Sequence, residues 1–209
     1  MGPPTFNEFS LRVAVLAAVL GFFALADRLV HGRHAKRWRE YVFLLACAEL
    51  GAVFGVVIDQ ITARLSPEYF VFGKHVEPGE HFWSRVIQLG VQAGFFAGAV
   101  VGGLLLVANS VSPRRQPLRL IVLARFLLLP IALAIAGACL CGLILAISPP
   151  PSFIANEFSC QLDDTALFRL YIVWGMHLGL YVGGVAGTVF AAACVVIKRR
   201  PVVALGSSR

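Results

Sequence analysis

The sequence predicts an all-α protein, a polytopic bundle of five transmembrane helices forming one domain over residues 1–209. Three observations carry that expectation. Five apolar runs follow one another, each long enough to cross a bilayer at ~20 residues. Basic residues collect in short clusters between alternate runs, so every cluster falls on the same side. Glycine recurs at every fourth position in two runs, as Gly90, Gly94, Gly98 and Gly102 and again as Gly175, Gly179, Gly183 and Gly187. Composition agrees, because a soluble domain cannot hide a chain that is 58% hydrophobic and only 14% charged. The net charge of +7 does not point to nucleic acid, since the clusters form no continuous basic face to follow phosphates.

The first span is Leu11–Val30, following a short polar arm with Pro3 and Pro4. Ala24-Leu25-Ala26 mimics a signal-peptidase site. No basic region precedes it, and cleavage would leave Arg28–Arg39 outside, against the charge rule, so the span is expected to stay uncleaved. Arg28, Arg33, Lys36, Arg37 and Arg39 then form a cytoplasmic connection to the second span, Tyr41–Ile61. Thr62–Phe82, with mixed charge and Pro67, Pro78 and Gly79, reads as an outer loop. The third span is Trp83–Val111, with Trp83 at headgroup level. Pro113 and Pro117 break the chain beside Arg114, Arg115 and Arg119. The fourth span begins near Leu118 and is cleanest over Phe126–Ile147, where Pro130 is expected to kink its first turns. Ser148–Ala166, with Pro149-Pro150-Pro151 and acidic Glu157, Asp163 and Asp164, is the second outer loop. Leu167–Ile197 is the fifth span and Lys198-Arg199-Arg200 closes it. The N-terminus is thus expected outside and the C-terminus in the cytoplasm, as in a bacterial inner-membrane protein.

The second and third spans align with the fourth and fifth, all four stripe glycines in register, and Gly51-Ala52-Val53-Phe54-Gly55 against Gly137-Ala138-Cys139-Leu140-Cys141. The expectation is a parallel repeat of two helical hairpins, residues 41–111 and 118–197, related by an axis along the membrane normal. Glycine at a four-residue spacing lets two backbones approach, the small-residue contact that holds helices together in lipid. Chance similarity between glycine-rich membrane helices is the competing explanation.

Ionisable and amide groups at bilayer depth are costly and mark sites. Glu49, Gln92 and His177 count to similar depth near the midplane and are expected to form a hydrogen-bonded polar centre; isolated helix-to-helix hydrogen bonds are the plainer reading. Asp59, Gln60, Thr62, Arg64 and Glu68 form the densest polar segment, at the outer mouth, where Asp59 and Arg64 are placed to pair. His75, Glu77, Glu80 and His81 have no metal-binding helix spacing and read as solvated loop residues. Cys47, Cys139, Cys141 and Cys194 lie in apolar runs, and no C-x-x-C pair is present. Nor is there a G-x-S-x-G nucleophile elbow or a phosphate-cradling glycine loop. No catalytic residue, metal or cofactor is expected.

Asp59-Gln60-Ile61-Thr62-Ala63-Arg64 followed by Glu68-Tyr69-Phe70 resembles a segment, D-Q-[IV]-T-x-R then E-Y-F, of uncharacterised bacterial integral membrane proteins. The resemblance spans about a dozen residues and implies no activity. Three functions remain open on the sequence. The first is a small-solute or ion permease built round the polar centre. The second is a non-catalytic subunit or assembly factor, with glycine stripes serving partner helices. The third is an enzyme acting on lipid at the outer mouth, which would need a lipid-sized groove opening beside Asp59. Membrane lipids are the expected partners, with a homo-oligomer or partner helices besides, and no nucleic acid.

Overall fold

The computed structural model describes residues 6–32, 35, 37–111, 115–148, 158 and 161–199. Its long helices are α1 (Phe6–His31), α2 (Arg37–Leu65), α3 (Phe82–Ser110), α5 (Leu128–Ile147) and α6 (Asp164–Lys198), with a short α4 (Leu120–Ala124). Among the described residues five helical stretches are long and apolar enough to cross a membrane, which makes this an integral membrane protein. Most of the Ser148–Ala166 loop, including Pro149-Pro150-Pro151, Glu157 and Cys160, lies outside the described residues, as do Arg33, Lys36 and Arg114.

Helix boundaries move outward from those expected. Helix α2 runs past Ile61 to Leu65, so Thr62 and Arg64 are helical rather than in a loop. Helix α6 starts at Asp164, because the Asp163 carboxylate accepts from the Ala166 amide at 2.7 Å and caps it. Between α2 and α3 the chain folds into a π-helical turn, Tyr69–Gly73. The expected kink near Pro130 takes the form of a 3-10 segment, Arg125–Leu127, between α4 and α5. Proline has no N–H for the carbonyl four residues back, here Phe126, and its ring crowds that carbonyl. The chain tightens just ahead of it.

Two antiparallel hairpins hold most of the packing, α2 with α3 and α5 with α6, while α3 and α6 form the main contact between them. A Cβ on Gly94 would strike the Gly51 carbonyl oxygen, and one on Gly98 the Cys47 carbonyl oxygen. A Cβ on Gly179 would strike the Gly137 carbonyl oxygen, and one on Gly183 that of Leu133. At the stripe ends a Cβ would meet other atoms: the backbone of Val56 at Gly90 and of Pro130 at Gly187, and the side chains of Cys47 at Gly102 and Leu145 at Gly175. Glycine here buys closeness of backbones and the dispersion contacts that follow.

Helix α1 stands at the flank. Its Phe9 packs edge-on to Phe95 and Phe96, with ring centroids 5.8 and 6.1 Å apart, and Val13 and Leu16 border the same cluster. At the opposite end of the hairpins Arg199 is buried, donating to the Ala108 carbonyl at 3.2 Å and the Arg115 carbonyl at 2.9 Å. Asn109 holds Leu118 by a reciprocal pair of 3.0 and 2.8 Å. These bonds tie the closing end of α3 to that of α6.

Candidate functional site

Between the two hairpins lies a chamber of about 540 Å³, lined by α2, α3, α5 and α6. Along α2 it reaches from Cys47 to Asp59, and along α6 from His177 to Val189, roughly 18 Å of helix in each case. The wall is built from Phe54, Ile58, Leu89, Ala93, Ala97, Val101, Ile131 and Leu180 among others, with glycine between them. Its polarity is confined to one end, where Asp59, Lys74, His177 and Tyr181 gather. At the other end Thr188 turns its hydroxyl onto the Gly184 carbonyl at 2.7 Å and offers no donor to the space. Val100, Val185 and Val189 on the wall are more than half exposed, so the chamber has an apolar margin toward the surrounding bilayer.

The polar end is assembled round His177, which is 4% exposed. The Thr62 hydroxyl donates to the Ile58 carbonyl at 2.9 Å, the usual back-bond of a helical threonine. Its oxygen, 3.2 Å from His177 Nε2, is then placed to accept the Nε2 proton. The Asp59 carboxylate lies 4.0 Å from the same Nε2. Tyr69 stacks on the imidazole at 4.6 Å between centroids, and Phe70 meets it edge-on at 6.0 Å. The ring is therefore clamped on α6 by residues of α2 and of the π-helical turn.

That turn is fixed by small bonds. Ser66 is fully buried; its hydroxyl donates to Glu68 at 2.9 Å and accepts from the Tyr69 amide at 3.3 Å. Glu68 also pairs with Arg169 of α6 at 3.2 Å. Just beyond the turn, Lys74 donates to the Tyr181 hydroxyl at 3.3 Å and lies 5.7 and 5.8 Å from the centres of the Tyr69 and Tyr181 rings. Burial works against the Lys74 ammonium, but the two phenols outweigh it and hold its pKa above the usual lysine value, so it is a cation at neutral pH. Burial likewise raises the Tyr69 phenol, against the pull of the Lys74 charge, and it stays un-ionised.

Of the residues singled out from the sequence, the structure brings together Asp59, Thr62 and His177, with Glu68 steadying the adjoining turn. Gln60 and Arg64 do not join them. Arg64 donates to the Gln60 carbonyl at 2.7 Å and side chain at 3.1 Å and rests 5.2 Å from the Trp83 ring, so it does not pair with Asp59. The trio Glu49, Gln92 and His177 is not a centre. Glu49 is exposed on α2 about 15 Å of helix away from Asp59, and Gln92 is buried on α3 away from the chamber. Depth counting failed because α6 overshoots α2: its first turns pack against Tyr69, Phe70 and Val76, setting His177 level with Asp59. Glu77 pairs with Arg85 at 3.1 Å, and among the described residues no three His, Cys, Asp or Glu side chains converge as metal ligands would.

Lys74 and Tyr181 escaped the sequence reading. Both left a trace: Tyr181 follows His177 by four residues and so shares its helix face, and Lys74 is the one basic residue between Arg64 and Arg85 apart from histidine. Comparison with protein families, curated proteins and solved structures gives no match, so the site is read from its geometry.

Proposed function

We propose that this protein binds a bilayer amphiphile, one hydrocarbon chain lying between the hairpins and the polar head meeting Asp59, Lys74, His177 and Tyr181. The carrying observation is the one-ended polarity of the chamber. A permease for ions or small polar solutes needs polar groups along its whole path. Beyond the His177 end this wall offers only apolar side chains and a hydroxyl already engaged. An alkyl chain suits it, and the ~18 Å reach compares with the half-thickness of a ~30 Å hydrocarbon core. The groove beside Asp59 that a lipid-directed protein requires is present, which moves the balance from a permease to lipid binding.

The basic clusters support an orientation with the polar end toward the outer leaflet and the C-terminus in the cytoplasm of a bacterial cell. Matching glycine contacts support an origin of the hairpins by duplication. The test is lipid retention. The full chain, purified in mild detergent, is expected to carry bound lipid visible by native mass spectrometry. Ala93→Phe and Ala97→Phe fill the chamber from its wall and should remove most of that lipid at unchanged thermal stability. Equal lipid on the parent and on both folded variants would overturn the reading.

A further inference from the structure

We infer that the amphiphile is a zwitterionic phospholipid, its phosphate held by Lys74 and Tyr181 and its ammonium by Asp59. The inference rests on the chamber's occupancy by a chain and adds the identity of the head. Asp59 and Lys74 line the same end of the chamber, yet no ion pair within 4.0 Å joins them; Asp59 has His177 Nε2 at that limit. Lys74 interacts with two phenols, Tyr69 and Tyr181, donating a hydrogen bond to the latter, and among the described residues with no carboxylate within 4.0 Å. Tyr181 accepts that bond, which leaves its own proton for an anionic oxygen. Glu68, the other carboxylate nearby, is already engaged by Ser66 and Arg169.

Charges of both signs thus border an apolar space without a close ion pair between them, and such groups are costly until compensated. An anionic head would satisfy Lys74 and set like charge against Asp59. A cationic head would do the reverse. A phosphate joined to an amine by a short linker satisfies both and brings no net charge into the site. The space accommodates one chain, and the exposed valines of its margin leave a second chain in the bilayer.

The experiment is a titration of the delipidated full chain by native mass spectrometry, with phosphatidylethanolamine and phosphatidylglycerol of identical chains. Phosphatidylethanolamine is expected to bind about ten-fold tighter. Asp59→Asn should erase that preference, and Lys74→Gln should weaken both lipids about ten-fold. Equal binding of the two lipids by the parent chain, or a preference that survives Asp59→Asn, overturns the head assignment. If either variant fails to fold, the parent's preference alone decides. Ala97→Phe separates the two levels. Loss of both lipids in that variant keeps the chain-binding chamber standing when the head assignment falls. Unaltered binding of both in Ala97→Phe removes the chamber itself.

Discussion

In hairpin α2–α3 the backbones meet where Gly51 lies on Gly94 and Cys47 on Gly98; in hairpin α5–α6 they meet where Gly137 lies on Gly179 and Leu133 on Gly183. The contacting positions are those that align between the two halves of the sequence. The polar equipment differs. The first hairpin supplies Asp59 and Thr62 and, from its connecting segment, Tyr69 and Lys74; the second supplies His177 and Tyr181 from a single helix face. Glycine-to-carbonyl contact thus holds both hairpins, whereas the polar cluster is assembled across the seam from unlike contributions.

The largest effects should fall equally on the two hairpins. Gly94→Ala and Gly179→Ala each place a methyl group against a carbonyl oxygen of the facing helix, and each should cost roughly 1–3 kcal/mol by thermal or denaturant unfolding in detergent. A large loss in one hairpin with tolerance in the other would break the likeness. Thr62→Val comes next, at about 1–2 kcal/mol, because it strands the buried Nε2 proton of His177; bound lipid should fall with it. Arg169→Ala removes a half-exposed ion pair to Glu68 and should cost under about 1 kcal/mol, with the shortfall read in a double-mutant cycle with Glu68→Ala. Gly21→Ala on α1 meets nothing within 4 Å and should stay within about 0.5 kcal/mol of the parent, the control that separates stripe glycines from ordinary ones.

The hairpins were legible in the sequence because their determinants are local. A glycine every fourth residue stays near one helix face, and an apolar run of twenty residues has few alternatives to a span. The site was only half legible. Asp59 and Thr62 stood out because they sit in a polar run, and His177 because it interrupts an apolar one. Their meeting was hidden, since it depends on how far α6 extends past α2 and on a π-helical turn whose sequence, Tyr69-Phe70-Val71-Phe72-Gly73, reads as loop or anchor. Glu49 and Gln92 join His177 in the sequence by counted depth, and Gln92 also by its matching place two residues after a stripe glycine, but depth from residue counts assumes helices of equal length. Helix α6 has 35 residues against 29 in α2 and α3.

Helix α1 has little to hold on to: only 6% of its apolar window is covered by the rest of the chain, and it rests chiefly on α2, where Phe9 joins Ala48 and Ala52 beside Phe95. Most of its surface therefore faces lipid even where it is docked on α2. From Val13 to Ala26 it carries no polar side chain, a surface equally at ease before and after assembly. Among the described residues none of α1 lines the chamber. The chamber is thus the work of the other four long helices, with α1 a lightly held flank whose loss should leave the lipid site standing.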